Sequence, residues 1–192
     1  MPSVQAPTHE ATRETRLGLV SDTHGLVRPA LEEVLRGVDA ILHAGDVGST
    51  DVLTRLGRLA PVRAVCGNTD ACVAELSLPA FECHACGETK ILIAHYLGEP
   101  EDPLPPAAQA IERFRPRVVV SGHTPRPDLQ EFEGRLYVNP GSAGPRRFRL
   151  PVTCGLLRIA RSRGSLRLEA TIIDLETGRT LLQTRFPDGG NG

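Results

Sequence analysis

The chain has no tryptophan, its aromatic residues amount to 4%, and its single methionine is the first residue. So few aromatic faces give little on which the bases of a single strand could stack. No charge excess exists either. Lys+Arg is 22 against Asp+Glu 23, a formal net charge of −1, so no global basic field holds a polyanion. Long nucleic acid is therefore not expected as a partner. No apolar run approaches the ~18 residues of a membrane span, which removes the membrane as an expected partner. The first fifteen residues are polar and of mixed charge, unlike a secretory leader. Five cysteines is an odd number and does not make a complete disulfide framework. The reading is a reduced, cytoplasmic setting. Lys90 is the only lysine, and no function is read from that.

What is present fits an ordinary folded domain. The 192 residues are 40% hydrophobic and 23% charged, which gives a prior of one domain. Such a length buries a sizeable core without needing disulfides or a structural metal. Residues 1–15 lack periodicity and read as a flexible tail, 16–186 as the single domain, and 187–192 as a second tail.

Within the domain, apolar runs at 16–21, 39–43 and 61–66 alternate with helical spacing at 29–35 and from Ser49-Thr50 to about 58. That β-α-β-α-β pattern implies right-handed crossovers and a parallel sheet. Two further β-like runs, 80–84 and 90–95, flank a turn at Gly87. Residues 97–106, rich in proline and glycine, read as a loop, 107–114 as a helix ending before Pro116, and 117–121 as a buried strand. Runs at 135–138, 152–160, 165–173 and 180–185 have antiparallel hairpin character. The expected architecture is α/β, with two sheets packed face to face and helices outside.

Five of the apolar strands end in groups that can hold a metal. These are Asp22 and His24 in SDTHG, Asp46 in HAGDV, Asn68 in GNTD, His95 in IAHY and His123 in SGHTP. Ligands in open α/β sheets gather beyond the carboxyl ends of strands, so groups distant in sequence can meet on one edge. Gly25, Gly45, Gly67 and Gly122 accompany them and let the backbone turn sharply. Two carboxylates, an amide oxygen and three imidazoles make a mixed O/N set. It suits Mn²⁺, Fe, Co²⁺, Ni²⁺ or Zn²⁺ better than Ca²⁺ or Mg²⁺. A carboxylate such as Asp46 can bridge two ions about 3.5–4 Å apart, and a hydroxide held between them can attack phosphorus in line.

The ordered set D-x-H, G-D, G-N-x-D, H, G-H over residues 16–185 resembles the calcineurin-like metallophosphoesterase superfamily. SDTHG, GNTD and the later NPGS are similar to its small phosphodiesterase branch, which also includes the retromer scaffold subunit. The resemblance implies a four-layer α/β/β/α sandwich with two mixed sheets. It implies a phosphoric ester hydrolase, a phosphodiesterase with two divalent ions, Mn²⁺ first among them, and small phosphate esters as substrates. One ion would take Asp22, His24 and Asp46, and the other Asp46, Asn68, His95 and His123. Asp46, Asn68 and His123 would be catalytic, and Asn68 would also contact phosphate. The resemblance is compatible with a homodimer.

Two positions depart from the pattern. The family usually has G-H-x-H, and here Pro125 takes the place of the last histidine, which cannot ligate. The first ion would then be weakly held, or would keep an open position for substrate. A binding or scaffold protein on the same fold is the alternative this departure motivates. His43 is a substitute ligand or a packed residue. Thr69 stands where many members carry a histidine that acts on the leaving group, so leaving groups of low pKa are favoured.

The Asn139–Ser142 segment reads as a tight loop, beside the metals or simply structural. Among Arg146, Arg147 and Arg149 the expected phosphate contact is Arg146. Cys83 and Cys86 form a CxxC without a second such pair, read as neither a zinc nor a redox site. Cys66, Cys72 and Cys154 read as small core or near-core residues.

Overall fold

Leu17 and Leu19 alternate with Gly18 and Val20 along β1 (Arg13–Val20), and the pleat sorts them onto two faces. The computed structural model describes residues 13–70, 75–162 and 165–187. Leu17 and Leu19 face one core and Val20 another. Between them, a Cβ at Gly18 would run into the Leu35 side chain, so glycine lets α1 (Pro29–Val34) lie close to the strand. Then follow β2 (Ala40–His43), α2 (Thr50–Gly57) and β3 (Val62–Ala64). Both β1/β2 and β2/β3 pair in parallel, as the β-α-β-α-β pattern predicts.

The chain continues through β4 (Phe81–Cys86) and β5 (Thr89–Ala94), then the two short strands β6 (Gly98–Glu99) and β7 (Asp102–Pro103). After α3 (Pro105–Phe114) come β8 (Val118–Val120), β9 (Asp128–Phe132) and β10 (Arg135–Asn139). The last elements are β11 (Thr153–Ser162), β12 (Ser165–Asp174) and β13 (Thr180–Pro187). One sheet has six strands in the order β13-β12-β11-β1-β2-β3, and the other has five in the order β4-β5-β8-β10-β9. Both are mixed. In the second, β5, β8 and β10 run parallel while β4 and β9 are antiparallel edges.

Leu17, Leu19, Leu42, Ile91, Ile93, Val118, Val120, Leu136 and Val138 fill the space between the sheets. Leu31 of α1, Leu35 at its end, and Val52 and Leu56 of α2 cover the outer face of the six-stranded sheet against Val20, Ile41 and Cys154. Ala107, Ala110 and Ile111 of α3 cover the other sheet against Leu92, Ala94 and Val119. The result is the expected four-layer α/β/β/α sandwich. β2 and β8 are buried along their whole length, as strands covered on both faces must be.

Several boundaries differ from the sequence reading. β1 starts at Arg13, where Arg13 to Thr15 pair with Arg161 to Ile159, so the predicted tail is shorter on its folded side. At the other end, Pro187 pairs with Arg167 and Phe186 is buried. Residues 1–12 and 188–192, and Cys72, lie outside the described residues. The predicted loop at 97–106 contains the β6/β7 pair, and α3 begins at Pro105. Proline suits a first helical turn, where its missing N–H has no partner to lose. β9 has no apolar run because it is an edge strand, half exposed along its length.

Candidate metal centre

The six parallel strands β1, β2, β3, β5, β8 and β10 all end at one rim of the sandwich, and the loops that leave them are tied together there. Asp22 N–H donates to the Gly45 carbonyl at 3.0 Å, His24 N–H to that of Asp46 at 2.9 Å, and Gly25 N–H to that of Val47 at 2.8 Å. The backbone pays for this meeting in local strain. Asp22, His24, Asp46 and His123 have φ of 54°, 44°, 52° and 70°. Left-handed backbone costs an L-residue about 1–2 kcal/mol, and such residues concentrate at functional sites.

The side chains converge. Oδ2 of Asp46 lies 3.7 Å from Nε2 of His24 and 3.6 Å from Nε2 of His95. Oδ1 of Asp22 lies 3.9 Å from Nε2 of His24. Asp22, Asp46 and His95 are buried, and one ligand atom of each falls within 4.8 Å of the others. Oδ1 of Asn68 is 2.9 Å from Nε2 of His95 and 3.1 Å from Nδ1 of His123. The His123 ring packs edge-on against His95 and tilted against Tyr96, at centroid distances of 5.3 and 4.6 Å. The structure thus brings Asp22, His24, Asp46, Asn68, His95 and His123 to one place.

The donor set fits a cation. Nδ1 of His95 is 2.7 Å from the Ala44 carbonyl, which can only accept, so that nitrogen carries the proton. With Nδ1 so engaged, Nε2 of His95 faces Oδ1 of Asn68 and Oδ2 of Asp46. A divalent ion held among these three atoms would be ligated by all of them. A backbone carbonyl that fixes the tautomer of an imidazole is the usual outer support of a metal-binding histidine.

Other groups hold the carboxylates. Oδ2 of Asp22 accepts from Ser21 Oγ at 2.5 Å and from the His123 N–H at 3.1 Å. Burial raises the Asp22 carboxyl above the ordinary range, and the Ser21 hydroxyl and the His123 N–H oppose it. Oδ1 of Asp46 accepts the Thr69 N–H at 2.9 Å. A Cβ at Gly67 would overlap the carboxylate and N–H of Asp46, so only glycine fits there.

Asp70, the last residue of GNTD, is the residue that sequence reasoning passed over. It is fully buried, and its carboxylate accepts N–H groups of Val47 (3.1 Å), Gly48 (2.8 Å) and Gly67 (2.9 Å). It thereby clamps the Asp46 loop to the Asn68 loop.

His43 is fully buried, with Nε2 2.9 Å from Thr23 Oγ1. The Thr23 hydroxyl spends its one proton on the Val47 carbonyl, so Nε2 must donate and Nδ1 is left without a partner. Burial pushes the imidazole down to about 4; the His95 and His24 imidazoles add to this, and Asp70 and Asp46 oppose it. Of its two sequence readings, the structure has the packed one.

The NPGS segment braces the same rim. Asn139 Nδ2 donates to Thr124 Oγ1 at 2.6 Å, its Oδ1 accepts Gly141 N–H at 2.8 Å, and Ser142 Oγ donates to the Asp22 carbonyl at 3.1 Å. It is a turn and it is beside the site.

Above these residues opens a pocket of about 280 Å³, walled by Asp22, His24, Asp46, Asn68, Thr69, His123, Pro125, Ser142, Arg147 and Phe148. Arg146, the expected phosphate contact, is not on this wall. Its guanidinium is ion-paired with Glu176, and Arg147 takes the place on the pocket. Pro125 lines the pocket, as its position in the GHTP run requires. Cys83 and Cys86 lie three residues apart on β4, hence on opposite faces, which does not suit a shared ion.

The model of the calcineurin-like phosphoesterase superfamily domain matches residues 15–162. A probable metallophosphoesterase of Methanocaldococcus jannaschii is 31% identical over 171 residues, which is 83% of this chain and 81% of that protein. Among solved structures, vacuolar protein sorting 29 of Cryptosporidium parvum superposes with a TM-score of 0.72 at 22% identity, covering 91% of this chain and 99% of that one. YfcE, a phosphoesterase from E. coli, superposes with a TM-score of 0.65 at 22% identity, covering 90% and 100%. With its fold, its strand-end residues and these relatives in agreement, the chain belongs to the calcineurin-like phosphoesterase superfamily.

Proposed function

We propose that the protein is a metal-dependent phosphodiesterase acting on small phosphate esters in the pocket above Asp22, Asp46 and His95. The observation that carries this reading is the convergence of Nε2 of His95, Oδ1 of Asn68 and Oδ2 of Asp46 beside the buried Asp22 carboxylate, with Nδ1 of His95 held by the Ala44 carbonyl. The reading places two divalent ions there, with Asp46 shared, Asp22 and His24 on one side, and Asn68, His95 and His123 on the other. Mn²⁺ is the working assignment for this O/N set. Bound in the site, such ions supply water of lowered pKa and positive charge opposite the phosphoryl oxygens.

The chain's own groups do the positioning. Ser21 and the His123 N–H hold the Asp22 carboxylate, and the Thr69 N–H holds that of Asp46. The exposed Arg147 guanidinium on the pocket wall can take a phosphate oxygen. Where Thr69 lines the pocket no imidazole stands to protonate a leaving group, which favours esters of acidic alcohols. Diesters with an aryl leaving group meet that condition. A cytoplasmic setting belongs to the same proposal.

A binding protein on this fold is the second reading, and Pro125 on the pocket wall favours it. Against it stand two carboxylates, Asp22 and Asp46, that are buried at a cost which a pure scaffold has no reason to bear. The test is hydrolysis of bis(p-nitrophenyl) phosphate by metal-stripped protein with and without Mn²⁺. Turnover that appears only with the ion supports the enzyme. No turnover with Mn²⁺, Ni²⁺, Co²⁺ or Zn²⁺ supports the scaffold.

A further inference from the structure

Phe148 is the most exposed large hydrophobic residue described, at 89% of its surface. It also sits at φ 54°, a conformation that is an outlier for so bulky a side chain. Glycine there would relieve the strain and remove an apolar ring from water, so neither folding nor solubility accounts for the phenylalanine.

The turn that carries it is firmly placed. Leu150 N–H donates to the Arg147 carbonyl at 3.1 Å and closes the turn around Phe148. Gly144 N–H donates to the Asp22 carbonyl at 3.2 Å, and Arg28 Nε to the Gly144 carbonyl at 3.0 Å. Arg146 anchors the other side through Glu176 and the Leu150 carbonyl. The turn is thus hung from the same backbone that sets Asp22. Phe148 and Arg147 stand on the wall of the pocket that holds Asp46 and Asn68. Among the described residues Arg147 makes no ion pair, whereas its neighbour Arg146 is committed to Glu176.

We infer that Phe148 and Arg147 are the specificity determinants of this pocket and select phosphodiesters in which one esterified alcohol is a nucleoside. The inference rests on the reading of the pocket as a phosphodiesterase site. A guanidinium matches phosphate oxygens, and an exposed ring matches the face of a base. At about 280 Å³ the pocket is at the small end of ligand sites, which run to about 300–1,000 Å³. It therefore takes a phosphate and one substituent and leaves the base to lie against the ring at its mouth.

The test uses the full chain with Mn²⁺ and two diesters that share the p-nitrophenolate leaving group. One carries thymidine through its 5′ oxygen and the other a methyl group. Phe148→Ala is expected to raise KM for the thymidine diester about tenfold and to leave the methyl diester within about twofold. Phe148→Tyr restores the thymidine value. Phe148→Gly melts no lower than wild type while losing the same preference, which a structural role would not produce. Equal effects of Phe148→Ala on both diesters, or no effect on either, overturn the inference and leave the phosphodiesterase reading intact. Wild type that hydrolyses neither diester with any of the four ions overturns both.

Discussion

Nδ1 of His95, just past β5 of the five-stranded sheet, donates to the carbonyl of Ala44, just past β2 of the six-stranded sheet, at 2.7 Å. The hydrogen bond crosses the seam between the sheets. It also orients Nε2 toward Asp46, 3.6 Å away on the far side of that seam. The candidate metal centre is therefore a consequence of sheet packing, because its residues come from both sheets.

Close backbone approach is one requirement of that geometry. Gly67→Ala would press a methyl group into the carboxylate and N–H of Asp46. Mn²⁺ affinity should fall at least tenfold while circular dichroism stays that of the wild type, since Asn68 and Asp46 move apart before the sheets do. Unchanged affinity would show that the Asp46 loop tolerates displacement.

Asp70 supports three buried or half-buried N–H groups and does not line the pocket. Asp70→Ala strands those donors, each worth about 1–3 kcal/mol when left unpaired. Urea denaturation should show a loss of about 3 kcal/mol or more. A loss below about 1 kcal/mol would mean that water replaces the carboxylate.

His43 gives stability a pH dependence of known sign. Its folded-state value of about 4 lies below the ordinary 6.5, so the unfolded chain binds the extra proton in between. Stability is then full above pH 6.5 and falls as the pH drops towards 4, by about 3 kcal/mol for this group. Denaturation in chelator from pH 7.5 to 4.5 checks it. His43→Gln, which does not titrate, should flatten the profile over that window.

Arg146 and Arg147 are neighbours with different partners. Arg146→Ala removes a surface ion pair with Glu176 and should leave kcat/KM on an aryl diester within about twofold. Arg147→Ala should lower it about tenfold or more. Steady-state kinetics of the two variants, side by side, decides the assignment.

Much of this was legible in the sequence, for a physical reason. A buried parallel strand is a short apolar run, and the first polar residue after it is where backbone leaves the sheet. Asp22, Asp46, His95 and His123 each follow such a run, so their convergence could be read from chain order alone. The parts that stayed hidden depend on contacts between loops. Asp70 is identified only when the 46–48 and 67–70 loops are seen to touch. Arg147 and Phe148 lie in an aperiodic turn, where no spacing separates the residue facing the pocket from the one paired with Glu176. β9 is an edge strand without an apolar run, and α3 starts on prolines that also mark loops.

The most direct test of the metal centre is calorimetric titration of Mn²⁺ into the stripped 192-residue chain, with Asp22→Ala and Asp46→Asn alongside. The account predicts two ions per chain for the wild type, loss of one in Asp22→Ala, and loss or severe weakening of both in Asp46→Asn, the shared carboxylate. Binding that is absent from the wild type, or unchanged in Asp46→Asn, would contradict it.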